Sequence, residues 1–251
     1  MDGVTQFDEL KRSWAITMKD MKIYFLRPGT LASGILFPVA LFFSFAVGRN
    51  IPNDLLIPVL AAQTILWSSS SIGPAAFPLE RRMRTFERYL SAPISLFAVL
   101  WGKTMAGVIF GLGITVAATA IGAVVIGVTI TNIAAVSIGV VLSAIVFSAM
   151  GTLFASIPSE NPGEVIMPLN LVRIPLMFVS GMFIPIESLP RAGAYAALVS
   201  PLTHTLDLLK IGFGGTSHFG WPINIAVLVI WILVFLILSQ MLHEFFDRKR
   251  R

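Results

Sequence analysis

Long apolar runs, separated by short polar segments, dominate the hydrophobic pattern of this chain. Six of them can be read, at about residues 31–48, 56–78, 97–128, 133–156, 165–185 and 222–242. An α-helix rises about 1.5 Å per residue, so about 20 apolar residues cross the hydrocarbon core of a bilayer. The pattern predicts an all-α integral membrane protein with six transmembrane helices. No linker interrupts it, so residues 1–251 are predicted to form a single domain.

Two further segments have a different pattern. Between residues 5 and 26, apolar side chains recur every three or four positions with lysines and arginines between them, which predicts an N-terminal amphipathic interfacial helix in contact with membrane lipid. A soluble helix packed on the rest of the protein is the alternative. The stretch 186–221, between the fifth and sixth runs, is predicted to be external and partly re-entrant. The apolar positions of the first segment are Phe7, Leu10, Trp14, Met18, Met21 and Phe25.

The composition agrees with a membrane protein and narrows the chemistry. Hydrophobic residues make up 56% of the chain and charged residues only 12%, whereas soluble domains carry about 25% charged residues. There is no cysteine, and the three histidines share no metal-ligand spacing. Gly102-Lys103-Thr104 resembles the end of a phosphate-binding loop, but Phe97 stands where that loop needs glycine. No catalytic, cofactor-binding or metal-binding residue is therefore predicted.

The basic residues predict the orientation. Most of the 18 lysines and arginines lie in the N-terminal segment, in the loop after the second run and in the C-terminal tail. Cytoplasmic segments of membrane proteins carry such an excess of positive charge. The chain is therefore expected in the plasma membrane, with both termini cytoplasmic.

Residues 79–95, LERRMRTFERYLSAPIS, form a dense charged block between the second and third runs, called here the basic segment. One explanation is a loop that only sets orientation. The other is an amphipathic cytoplasmic coupling helix over residues 79–93 that presents one face to a soluble partner, because Phe86, Tyr89 and Leu90 recur at helical spacing before Pro93. The second explanation accounts for the aromatic and aliphatic positions, and the first does not.

Two features within the apolar runs have several explanations. Arg173, in the fifth run, could line a substrate path together with Asn170 and Phe178, since charged residues within spans usually face an interior or a cavity. It could instead bond carbonyls that are freed by nearby prolines, or the boundary of the run could lie elsewhere. The pair Gly107 and Gly111 allows close helix packing, either within one subunit or between subunits.

The stretch LERRMRTFERYLSAPISLFAVLWGK resembles the signature E-R-x-x-G-T-L-E-x-L-x-x-(S/T)-P-I-S, followed by G-K, of ABC-2 type transporter permeases. Arg84 and Phe86 stand where glycine and leucine are usual. FVSGMFIPIESLP at 178–190 and SPLTHTLDLLK at 200–210 are similar to two further family segments, in the same order. The matching positions include Thr85, Glu87, Pro93, Ile94, Ser95, Gly102 and Lys103, and Leu90 lies one position after the second leucine of the signature.

The resemblance implies the membrane subunit of an exporter for an amphipathic, lipid-linked or drug-like substrate. Such permeases pair as homodimers or heterodimers, and two separate ABC ATPase subunits bind the ATP and Mg and dock on the basic segment and the interfacial helix. No enzymatic activity and no nucleic-acid partner are expected for this chain. A secondary transporter or channel without an ATPase is the alternative, and an intramembrane enzyme ranks last. The implied ATPase-docking residues are Glu80, Arg81, Arg84, Thr85, Phe86, Glu87, Arg88, Leu90, Trp14 and Lys11.

Overall fold

The computed structural model describes residues 6–24, 28–46, 52–85, 89 and 94–250, and all regular structure in these ranges is helical. The prediction of an all-α protein is confirmed. In chain order the elements are α1 (Gln6–Tyr24), α2 (Pro28–Leu31), a π-helical turn (Ala32–Leu36), α3 (Phe37–Ala46), α4 (Asn53–Ser69), α5 (Ile72–Arg82), α6 (Leu96–Ile126), α7 (Ile133–Ala155), α8 (Pro162–Val179), a 3₁₀ turn (Ile186–Ser188), α9 (Arg191–Val199), α10 (Pro201–Gly212) and α11 (Trp221–Arg250).

Within these ranges, five helical stretches are long and apolar enough to cross a membrane. They are Leu55–Arg82, Leu96–Ile126, Ile133–Ala155, Pro162–Val179 and Trp221–Phe246. They correspond to the second to sixth predicted runs, although the fifth ends at Val179, where the chain turns through Ser180 and Gly181 at φ 81°. The first run contains a shorter apolar helix, Gly34–Ser44, and its last residues lie outside the described ranges. The count of six spans stays a prediction.

The second span is broken in its middle, between α4 and α5. Pro74 has no N–H to donate to the carbonyl of Ser70, and its ring crowds that carbonyl, which favours an interruption of the helix at this point. The neighbouring helices come very close to the break. A Cβ added at Gly107 of α6 would lie 2.6 Å from the Ser69 carbonyl oxygen, and one at Gly151 of α7 would lie 2.5 Å from that of Ser70. The glycine pair of α6 therefore packs within the subunit, against α4.

The largest apolar core joins α4, α7, α10 and α11. α10 lies almost entirely inside it, with Leu202, Leu206 and Leu209 buried. α9 and α10 have 9 and 12 residues, too short to cross a bilayer, which needs about 20. The segment between the fifth and sixth spans is thus a pair of short helices, the second of which fills the bundle.

α1 packs along α6, but not through its apolar stripe. The face that touches the bundle is formed by Ser13, Ile16, Thr17 and Asp20, all buried. The Thr17 hydroxyl donates to the Gly102 carbonyl at 2.7 Å. Of the predicted stripe, Leu10 and Trp14 are 60% and 55% exposed, Met18 and Met21 are half-buried, and the side chains of Phe7 and Phe25 lie outside the description. α1 therefore packs on the protein through one face and exposes Leu10 and Trp14 on another.

Candidate functional site

Two lysines and two carboxylates meet at the end of the bundle where α1, α5 and α6 converge. Lys19 and Asp20 come from α1, Glu80 from the last turn of α5 and Lys103 from the start of α6. Asp20, Glu80 and Lys103 are at most 1% exposed. These four residues are called the four-charge cluster.

The charges alternate in sign around the four-charge cluster. The Lys103 ammonium lies 3.1 Å from one oxygen of Asp20 and 2.6 Å from one of Glu80. Lys19 lies 2.7 Å from the other Asp20 oxygen and also pairs with the second oxygen of Glu80. Each carboxylate oxygen thus faces an ammonium group. The cluster is neutral overall, and the attraction between its opposite charges offsets the desolvation penalty of burying them.

Aromatic rings complete the surroundings of the two lysines. The Lys103 ammonium lies 4.7 Å from the centre of the Phe77 ring, a distance typical of a cation–π contact. Lys19 donates to the Tyr89 hydroxyl at 2.6 Å, so this residue of the basic segment touches the cluster. Burial disfavours the charged ammonium of Lys19, but the charge of Asp20 and the hydrogen bonds to both acids outweigh it, and the pKa of Lys19 is raised above its ordinary value.

The close approach of α1 to α6 depends on Gly102. A Cβ at this position would lie 2.5 Å from the Ser13 carbonyl oxygen, so any larger residue would push α1 away. The next residue, Lys103, then reaches both acids. The Gly-Lys pair that resembled a phosphate-binding loop is thus a packing site followed by a buried cation.

α5 ends in a Schellman turn at Arg84. The Thr85 N–H donates to the Glu80 carbonyl and the Arg84 N–H to the Arg81 carbonyl, both at 2.9 Å. Arg84 has a φ of 54°, the left-handed region, and is the only non-glycine residue with a positive φ in the described ranges. Glycine adopts this conformation without steric cost, which gives the physical reason for glycine at the corresponding position of the signature that this segment resembles.

The predicted coupling helix over 79–93 is wrong at its start, because residues 79–82 are the last turn of α5 and the Schellman turn follows them. Helical structure carries the second span on to Arg82, which hydropathy alone does not show. Of residues 86–93, only Tyr89 is within the described ranges. The docking predictions for Phe86, Glu87, Arg88 and Leu90 lie outside them.

The other predicted docking residues occupy two kinds of position. Lys11, Trp14 and Arg84 are exposed and Thr85 is half-buried, whereas Glu80 is buried in the four-charge cluster. Arg81 donates to the carbonyls of Ser156 and Ile157, just after α7. Docking stays a prediction for all of them.

Arg173 lies at the break of the second span. It is 2% exposed, and its Nε and Nη2 donate to the Ser70 hydroxyl at 3.0 and 2.6 Å. Nη1 donates to the Asn170 side-chain oxygen at 3.1 Å, and the guanidinium lies 4.7 Å from the centre of the Trp67 ring. These contacts favour a structural role, but with hydroxyls of another span rather than with carbonyls freed by prolines. Phe178 is 41% exposed.

A second polar network closes the opposite end of the bundle. Asp207 of α10 accepts hydrogen bonds from the Ser217 hydroxyl, from the N–H groups of His218 and Phe219 and from the Asn224 amide. Burial disfavours the charged carboxylate, but these four donors outweigh it, and the pKa of Asp207 is lowered. The network fixes the loop between α10 and α11.

Reasoning from the sequence alone does not reveal the four-charge cluster as a unit. In the sequence, Lys19 counts only toward the orientation and Lys103 toward the Gly-Lys pair of the family signature, and Asp20 is not part of any motif. A signal was present, since Asp20 follows Ile16 and Thr17 at helical spacing, on a face of α1 that carries few other charges. No group of His, Asp and Glu that could hold a metal ion occurs among the described residues.

The fold is that of a multi-pass membrane protein: a bundle of long apolar helices, with a buried charge cluster and a basic turn at one end. The chain matches the ABC-2 type transporter family over residues 11–214, and it belongs to this family. It is also 34% identical over 76 residues to nodulation protein J of Rhizobium leguminosarum bv. viciae, an alignment that covers 30% of this chain and 29% of that protein. The resemblance identified from the signature segments is confirmed.

Proposed function

We propose that this chain is the membrane subunit of an ATP-driven exporter and that a separate ABC ATPase docks at the four-charge cluster end. The observation that carries the proposal is the four-charge cluster itself. It ties α1, the end of the second span, Tyr89 of the basic segment and the start of the third span into one unit. These elements include both regions that the family resemblance assigns to ATPase contact.

The geometry supports force transmission through this unit. Removing one partner from a buried ion pair costs about 3–5 kcal/mol, so the three helices resist separation at this point. A push on the exposed side of α1 or on the basic segment would therefore reach both the second and third spans. In this proposal the exposed residues that contact the ATPase are Lys11, Trp14 and Arg84. Glu80 is buried and supports them through its ion pairs with Lys19 and Lys103.

The remaining parts of the proposal follow from the family and from the sequence pattern. Two ATPase subunits supply the ATP and Mg, and a second permease copy completes the complex. The substrate is amphipathic, lipid-linked or drug-like and passes near Asn170, Arg173 and Phe178. The membrane is the plasma membrane, with six spans and both termini on the cytoplasmic side, and membrane lipid surrounds the exposed apolar faces.

Co-purification with the ATPase tests the proposal. Trp14→Ala and Glu87→Lys are expected to lower recovery of the complex and its ATP hydrolysis while the chain still inserts. Val124→Ala, at an 82% exposed position near the other end of α6, is the matched control and is expected to change neither. A complex that forms and hydrolyses ATP normally with both docking substitutions contradicts the docking surface. Transport by the chain alone, without ATPase or ATP, favours the secondary transporter instead.

Orientation has a separate test, because the chain has no cysteine. Single cysteines can replace Met83, beside the Schellman turn and 56% exposed, and Tyr195 on α9, 70% exposed. In sealed cells an impermeant maleimide is expected to label the cysteine at 195 and to leave the one at 83 unlabelled until the cells are opened. Labelling at 83 in sealed cells would place the basic segment outside and remove the ATPase from it.

A further inference from the structure

Arg173 is a buried cation. In the described part of the chain, no carboxylate forms an ion pair with it. Its ligands are neutral: two hydroxyls, an amide oxygen and an aromatic face. A buried charge held only by dipoles depends closely on the positions of those dipoles. Movement of the serines relative to α8 would leave the guanidinium unsatisfied.

Ser70 and Ser71 are the two residues of the break between α4 and α5. Their hydroxyls donate to the carbonyls of Leu66 and Trp67, one turn earlier, and so their oxygens remain free to accept from Arg173. Arg173 of the fifth span therefore bonds the second span at the point where its regular helix is interrupted. Helices bend at such points.

α5 is held by buried charges near both ends. Glu80, in its last turn, belongs to the four-charge cluster, and Ser71 precedes its first residue. The two positions are nine residues apart, so they lie about 13 Å apart along the helix axis. Between them α5 packs on α7, where a Cβ at Gly73 would lie 3.2 Å from the Gly151 backbone. α5 is thus the element that links the docking end to the serines that contact Arg173.

We infer that Arg173 is a positioning residue that couples the movement of α5 to α8. The inference rests on the proposed function, because the ATPase supplies the movement at the Glu80 end. When α5 tilts about the break, the positions of the Ser70 and Ser71 hydroxyls change relative to α8, and Arg173, which contacts both, transmits this change to the fifth span. Arg173 acts through the serines and does not need to touch the substrate.

Two reporter sites test the coupling without knowledge of the substrate. An environment-sensitive fluorophore is attached to a cysteine at Met83, next to α5, or at Leu171, which is 76% exposed on α8. Each labelled chain is assembled with the ATPase, and the fluorescence change on adding ATP is measured. In the otherwise unchanged complex both reporters are expected to respond.

The coupling is then removed from either side. Arg173→Gln, Arg173→Lys and the double substitution Ser70→Ala with Ser71→Ala are each expected to remove most of the fluorescence change at 171. The response at 83 is expected to persist. Combining Arg173→Gln with the serine pair should cause no further loss, because the residues act as one unit.

Ser68→Ala is the matched control. Ser68 is buried in the same span and donates to the Thr64 carbonyl, so both reporters should respond normally. A normal response at 171 in the Arg173→Gln or in the serine variant would overturn the inference, as would a silent reporter at 171 in the unchanged complex. Retention of the response by Arg173→Lys alone would mean that charge, and not the paired contact with the serines, matters. A silent reporter at 83 in the unchanged complex would contradict the proposed ATPase docking itself.

Discussion

Replacing Arg84 by glycine is expected to stabilise the protein. Arg84 adopts a φ of 54° at the end of α5, and the left-handed conformation costs a non-glycine residue about 1–2 kcal/mol. Glycine removes this cost but adds about 0.4–1 kcal/mol of freedom to the unfolded chain. The two hydrogen bonds of the Schellman turn are made by backbone atoms and persist in the variant. The net gain is therefore about 0.5–1 kcal/mol.

Thermal unfolding of the purified chain in detergent measures this effect. For a chain of this size, 1 kcal/mol corresponds to a change in Tm of about 2–4 °C. Arg82→Gly is the matched control, because Arg82 is also exposed but lies in the last turn of α5, where glycine in place of a good helix former costs up to about 1 kcal/mol. The same chemical change is thus expected to raise Tm at 84 and to lower it at 82.

Arg84→Ala separates backbone strain from charge. Alanine removes the guanidinium but keeps the left-handed cost, so its Tm should stay near that of the parent chain. An equal rise with alanine and glycine would show that charge repulsion, not strain, is relieved, and no rise with glycine would refute the reasoning. If Arg84 contacts the ATPase, both variants should lower recovery of the complex, so that stability and docking change in opposite directions for Arg84→Gly.

Three further predictions concern other parts of the fold. Glu80→Gln leaves the four-charge cluster with an excess cation and should lower the unfolding free energy by about 3 kcal/mol, whereas Gln at the exposed Glu244 should change it little in the same denaturation assay. Gly107→Ala would press a methyl group on the Ser69 carbonyl and should cost about 1–3 kcal/mol. Alanine at Gly113 of the same helix meets no atom within 4 Å and should instead stabilise by about 0.5–1 kcal/mol. The folded pKa of Asp207 is lowered, so its contribution is present above its unfolded pKa of about 3.9 and is lost as pH falls through the lower folded value. The difference in Tm between the parent and Asp207→Asn should therefore be largest near neutral pH and shrink below about pH 4; a constant difference would contradict the assignment.

Much of the architecture could be predicted from local pattern. Run length identified the second to sixth spans within a few residues at most boundaries, because crossing a bilayer needs a fixed number of apolar residues. The basic segment and the family resemblance also came from residues close together in the sequence. Boundaries set by turn chemistry were less predictable, such as the end of α5 at Arg82 and that of α8 at Val179.

The sequence by itself determined the class of the protein, its family and the order of its second to sixth spans, since each depends on patterns of neighbouring residues. Only the tertiary structure decided which charges meet. Lys103 bonds Asp20, which is 83 positions away in the sequence, and Arg173 bonds Ser70, which is 103 positions away. It also decided that α1 packs through serine and threonine while Trp14 stays exposed. Hydropathy measures how apolar a helix is. The partner of a buried charge depends instead on which helices are neighbours and on how they are aligned along their axes.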